Sequence, residues 1–242
     1  MNRLFEPINF PPPSARRAGA AFYDEGLRRH MLGVYRNMAL GLGLTALVAL
    51  LVASTPALYQ PIFGTPLKWV AIFAPLAFVL LFSFRVERMT AAQARMAFYA
   101  FAAVMGVSMA SIFLVFTGTS IALAFFSAAA VFAGMSLWGY TTHVDLSRWG
   151  SFLMVGLIGV VIASLVNLFV GSSTLQLVFS IAGVLVFTGL TAWDTQRLKN
   201  DYLAYAGSEQ ADKLAVMGAL SLYLNLVNLF QLLLTLFGQR EE

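Results

Sequence analysis

Residues 175–196 read LQLVFSIAGVLVFTGLTAWDTQ, an apolar run that closes on Trp193-Asp194-Thr195-Gln196. The run before Asp194 has the roughly 20 residues that a helix needs to cross a bilayer core of about 30 Å. A carboxylate against a helix of that length is a candidate site, because an ionised acid at a membrane boundary is costly unless it faces a partner, water or a transported ion. Asp194 also has a plainer reading as an ordinary charged flank beside a tryptophan anchor, paired locally with Arg197 three residues on.

The rest of the chain has the same character. Hydrophobic residues make up 60% of the 242 positions and charged residues 11%, far from the roughly half and quarter of a soluble domain. The sequence therefore predicts an all-α, polytopic integral membrane protein whose first partner is the lipid bilayer. Seven spans are expected at 31–52, 67–84, 96–116, 120–140, 150–170, 175–193 and 214–237. The segment 53–66 carries three prolines and reads as a loop. Thr117-Gly118-Thr119 and Gly171-Ser172-Ser173-Thr174 are short uncharged turns that force their neighbouring helices into antiparallel hairpins.

Basic residues fix the expected orientation. Arg3, Arg16, Arg17, Arg28, Arg29 and Arg36 lie before or early in the first span. Arg85, Arg88, Arg95, Arg148, Arg197, Lys199 and Lys213 lie in the loops that alternate crossing returns to the same side. Only Lys68 and Arg240 fall opposite. By the positive-inside rule the amino terminus is expected in the cytosol and the carboxyl terminus outside, with Asp194 at the cytosolic end of its helix. Residues 1–30 hold Pro11-Pro12-Pro13 and several arginines without a secretory-signal core, and read as a flexible cytosolic tail. The membrane domain is expected over 31–238, with a short tail at 239–242.

The seventh span has an unusual polarity pattern. Gly218, Ser221, Asn225 and Asn228 recur at intervals of three, four and three, forming one polar stripe on an otherwise Leu, Val and Phe helix. Amides avoid hydrocarbon, so this helix is expected in the middle of the bundle, its asparagines serving as interhelical glue or lining a polar pathway. Phe116-Thr117-Gly118-Thr119-Ser120 and Phe169-Val170-Gly171-Ser172-Ser173 form a weak internal echo. Glycine and serine are ordinary turn residues, which explains it without a repeat.

Enzymatic constellations fail. The chain has no cysteine, which excludes disulfides and thiolate chemistry. Gly134-Met135-Ser136 and Gly106-Val107-Ser108 lack the second glycine of a nucleophile elbow. His30 and His143 have no hydrolase-like partners in the pattern, and the last span has no lysine for a retinal. No phosphate loop or metal-ligand spacing occurs. A non-enzyme without a cofactor or nucleic-acid partner is expected.

Several spaced motifs resemble one family. Thr191-Ala192-Trp193-Asp194-Thr195-Gln196-Arg197-Leu198-Lys199 resembles the Asp-Thr-Gln-basic signature of the Bax inhibitor-1 family, in its bacterial YccA-like group, where Tyr usually precedes the Asp. Ala219 to Phe230 is similar to the family's closing helix, and Phe116-Thr117-Gly118-Thr119-Ser120-Ile121 and Leu137-Trp138-Gly139-Tyr140-Thr141-Thr142 match further segments. The resemblance implies a bacterial inner-membrane protein with the last helix wrapped by the other six in two layers of three. It also implies a passive calcium leak, in which two aspartates share a proton and gate the path. Asp194 matches the first aspartate and would be the transient calcium ligand.

The second aspartate is absent. The family's Leu-Tyr-Leu-Asp is Leu222-Tyr223-Leu224-Asn225 here. An amide cannot ionise, and its hydrogens favour a charged Asp194 where a second carboxylate would oppose it, so pH sensing is expected to weaken. The resemblance further implies that Arg85, after Leu81-Phe82-Ser83-Phe84, latches onto Asp194. Against this, Arg85 also serves the positive-inside bias. The expected pathway residues are Asp194, Asn225, Asn228 and Arg85. A different role implied by the resemblance is regulation of a membrane protease of the FtsH type, gripped through the amino-terminal tail.

Overall fold

A computed structural model describes the backbone over residues 13–205 and 208–239, with side chains from Glu25 onward apart from Glu209. Eight α-helices account for most of it: α1 (Pro13–Ser54), α2 (Pro56–Phe63), α3 (Leu67–Arg85), α4 (Ala91–Val115), α5 (Gly118–Thr141), α6 (Ser147–Val170), α7 (Ser173–Tyr205) and α8 (Glu209–Phe237). Seven of them, all except α2, are long and apolar enough to cross a membrane. The described residues contain no strand.

Local chemistry sets the boundaries. Thr90 and Gln93 cap α4 reciprocally, and the Thr117 hydroxyl accepts from Ser120 N at the start of α5. Gly171 ends α6 with φ +66, a left-handed conformation that glycine adopts without a Cβ penalty. The proline-rich connection expected to be a loop instead holds α2, because Pro56 occupies the first turn, where its fixed φ and missing N–H suit a helix.

Two helices are longer than the hydropathy pattern predicts. α1 already runs at Pro13, inside the stretch expected to be a tail; residues 1–12 and 240–242 lie outside the described residues. α7 has 33 residues, about 50 Å at 1.5 Å per residue, so it outruns a bilayer core. Asp194 consequently lies inside a continuous helix and not at its end. Its polar neighbours leave the helix unbroken because their side chains are hydrogen-bonded, to adjoining elements or to a carbonyl of α7 itself.

The packing puts α8 on the axis. Of its most apolar stretch 56% is buried, against 11% for α6. α1, α4, α5 and α7 all pack directly along α8, while α3 packs on α4 and α6 on α7 as outer members. Tyr223 is fully buried at this centre. Its ring meets Phe98 and Phe101 edge-on at 5.7 and 5.8 Å, and its hydroxyl lies 2.6 Å from Thr45. Thr45 spends its own proton on the Ala102 carbonyl at 2.8 Å, so Tyr223 must donate to Thr45. The far end of α8 is held too: Thr117 N donates to Gln239 O at 3.0 Å, and Gln239 N donates to Ser120 Oγ at 2.9 Å.

Candidate functional site

The Asp-Thr-Gln run on α7 sends three consecutive side chains to three different elements. Successive residues on a helix are about 100° apart, so neighbours in sequence face different neighbours in space. All three are buried.

Asp194 faces the axis. Its Oδ2 accepts from Asn225 Nδ2 on α8 at 2.8 Å, in a buried contact. A carboxylate needs a donor, so the amide must present its nitrogen. The other oxygen, Oδ1, lies 3.7 Å from the Arg197 guanidinium one turn along α7. Arg197 is 42% exposed and also reaches Asp201 at 3.9 Å. The ion pair is long and opens to water on the Arg197 side, whereas the amide bond is short and buried on both sides, so the amide is the tighter contact. Arg197 also lies 5.0 Å over the Trp193 ring, which holds it along its own helix.

Thr195 faces α5. Its hydroxyl donates to the Thr191 carbonyl at 2.8 Å, leaving only its lone pairs for Ser136 Oγ at 3.1 Å. Ser136 thus donates to Thr195, and Tyr35 of α1 donates in turn to Ser136. The ordered chain Tyr35, Ser136, Thr195 ties three helices together beside Asp194. It ends on a backbone carbonyl and not on the carboxylate.

Gln196 faces the α5–α6 connection. Its Nε2 donates to Val144 O and its Oε1 accepts from Leu146 N, both at 2.8 Å. Lys199 adds a bond to Tyr140 O at 3.1 Å. In the same connection Asp145 accepts from Ser147 N at 2.9 Å, and the Ser147 backbone and hydroxyl hold its carboxyl below the usual carboxylate range. Close approach of α5 permits this arrangement. A Cβ on Gly139 would collide with the Ala192 backbone, so α5 and α7 touch there main chain to main chain.

The other sequence candidates separate. Asn228 is half-buried and donates to Leu224 O on its own helix at 2.8 Å, so it does not join Asp194. Gly218 lies against Leu198 of α7. Arg85 is exposed beside Phe84, Arg88, Met89 and Gln93, and among the described residues it forms no ion pair; the arginine that reaches Asp194 is Arg197. The reason is positional: Arg85 ends α3, which packs on α4 in the outer layer. Tyr35, Ser136 and Thr45 were not singled out by the sequence as cross-links. No three His, Cys, Asp or Glu side chains converge among the described residues.

Comparison with known proteins agrees with this architecture. The family described as inhibitor of apoptosis-promoting Bax1 matches residues 27–242. An uncharacterized protein of Rickettsia prowazekii is 44% identical over 220 residues, covering 91% of this chain and 93% of its own. The inner membrane protein YbhL of Escherichia coli is 41% identical over 218 residues, covering 89% and 93%. An uncharacterized protein of Caulobacter vibrioides is 42% identical over 229 residues, covering 90% and 92%. With the seven spans and the Asp-Thr-Gln junction, these matches establish that the chain belongs to the Bax inhibitor-1 family of integral membrane proteins.

Proposed function

We propose that this protein is a passive leak for calcium or a similar cation, closed where Asp194 meets Asn225. The observation that carries the reading is the buried 2.8 Å bond between them, on two helices that pack closely along one another. With one oxygen held by an amide hydrogen and the other facing Arg197, the carboxylate is occupied, and a cation would have to displace both donors. Turning the Asn225 side chain over would exchange its nitrogen for its oxygen and offer one amide oxygen beside the two of the carboxylate. That is a weak set for calcium, which collects six to eight oxygen ligands, and it suits passage better than retention.

The basic loops make the Asp194 end cytosolic in this reading, by the positive-inside rule. The inner-membrane location of the Escherichia coli relative supports a bacterial inner membrane here. No catalytic role is assigned. Purified protein in calcium-loaded liposomes tests the leak: it should release calcium, and Asp194→Ala should change the rate several-fold. Equal rates would reject the gate.

A second reading rests on the parts that outrun the bilayer. α1 extends back to Pro13 and α7 out to Tyr205, and His30 packs on Tyr202 with ring centroids 4.8 Å apart, so a helical stub projects at the basic end. A membrane protease of the FtsH type could grip it. Deleting residues 2–24 should then abolish co-purification with the protease and leave calcium release intact. Unchanged co-purification would reject this role.

A further inference from the structure

α1 and α5 are not packed along one another. They converge at the Tyr35 to Ser136 hydrogen bond, and crevices open between them. The crevice at the basic end has a volume of about 540 Å³ and is lined by Arg28, Leu32, Tyr35, Phe132, Ser136 and Tyr140, among others. Its walls face outward. Leu32 and Leu137, both lining residues, are 56% and 65% exposed on helices that cross the membrane, so hydrocarbon chains are what surrounds the opening.

The mouth is cationic. Glu25 is shared by Arg29 at 3.1 Å and Arg28 at 3.7 Å, and among the described residues two guanidinium groups against this one carboxylate leave a net positive charge. Lys199 adds a second, 5.6 Å over the ring of Tyr140, which lines the crevice. An apolar slot with a positive rim at a membrane boundary is complementary to an amphiphile with a negative head. A gap left empty would forfeit dispersion contacts along its whole lining, so a chain of the right chemistry gains by entering.

The geometry points to a binding site for one anionic phospholipid between α1 and α5, its phosphate at Arg28 and Lys199 and an acyl chain between Leu32 and Phe132. The site has a consequence for the interior. Tyr35 and Ser136 form part of its wall and brace Thr195, the residue next to Asp194. An occupied crevice therefore supports α7 at the Asp194–Asn225 contact from the lipid side.

The test reads lipid retention, and so stands apart from any measurement of ion flux. Full-length protein in detergent is mixed with phosphatidylglycerol or phosphatidylcholine and examined by native mass spectrometry. Phosphatidylglycerol should be retained preferentially. Arg28→Gln should reduce its retention about fivefold, the worth of one basic residue near a charged surface, and leave phosphatidylcholine unchanged. Ala133 also lines the crevice, and Ala133→Phe, which fills the slot from that wall, should reduce both lipids. Arg88→Gln, an exposed charge in the 3-10 turn that follows α3 and away from the crevice, should behave as the parent, and thermal transitions report that each variant is folded. Equal loss in Arg28→Gln and Arg88→Gln, no preference for phosphatidylglycerol, or full retention in a folded Ala133→Phe protein would each overturn the proposal. Were Ala133→Phe unfolded, the Arg28→Gln and Arg88→Gln pair decides alone.

Discussion

Asn225 of α8 donates its amide hydrogen to Asp194 of α7 across 2.8 Å of buried space, and the polar centre of this bundle is organised around that contact. Thr195 and Gln196, the next two residues, carry the same segment of α7 to α5 and to the α5–α6 connection. A short polar run inside a membrane helix thus becomes a three-way junction.

Removing the acceptor should cost more than neutralising it. Asp194→Ala leaves the Asn225 amide buried without its partner, a loss of about 1–3 kcal/mol. Asp194→Asn keeps an oxygen for it and should recover a large part of that stability. Thermal unfolding of the purified proteins in detergent checks the order. An Asp194→Asn protein less stable than Asp194→Ala would contradict the hydrogen-bond assignment.

Gln196 holds the α5–α6 connection through both ends of its amide. Gln196→Ala should expose the Leu146 amide to solvent exchange, raising its rate roughly tenfold for each 1.4 kcal/mol of lost protection. Gln196→Glu keeps the acceptor for Leu146 but sets an oxygen against the Val144 carbonyl. It should therefore protect Leu146 better than Gln196→Ala does. Hydrogen exchange read at residues 143–148 distinguishes the three proteins.

The Thr45 and Tyr223 pair should respond asymmetrically. Tyr223→Phe removes one donor while Thr45 keeps its bond to Ala102 O, a cost of about 1 kcal/mol. Thr45→Val strands the buried Tyr223 hydroxyl and should cost more, about 1–3 kcal/mol. In the double variant the hydroxyl is gone, so its loss should fall short of the sum of the two. A strictly additive pair would show that the hydroxyls do not interact.

Gly139 tests the main-chain contact of α5 with α7. Gly139→Ala places a methyl group against the Ala192 backbone, which cannot swing aside as a side chain can. The expected loss is about 1–3 kcal/mol, although alanine is the better helix former. An unchanged or raised melting temperature would show that the two helices are not held this close.

Hydropathy and charge were enough to read seven spans from the sequence, because apolar length and basic loops act over whole segments. Asp194 and Asn225 were legible for a related reason: each is a polar group that hydrocarbon would not tolerate alone. Which hydroxyls cross-link helices was not legible. Ser136 bonds to two other helices, whereas Ser83, Ser164 and Thr235 bond to carbonyls of their own helices at 2.8 Å. Both choices satisfy the group, and only the neighbouring helix decides between them. Asn228 follows the second course, which is why a stripe that pointed to two axial amides yields one interhelical partner for Asp194. Arg85 and Arg197 divide similarly. A turn of helix brings Arg197 to Asp194, while Arg85 depends on where α3 packs, and α3 packs on α4.

Asn225 keeps a contact with Asp194, and in the proposed leak it leaves no second carboxylate to share a proton. Calcium release from liposomes, followed across pH for the protein and for Asn225→Asp, tests this most directly. Two carboxylates held this closely cannot both ionise cheaply, so the variant should acquire a steep pH dependence that the parent lacks. Superimposable pH profiles from the two proteins would contradict the account.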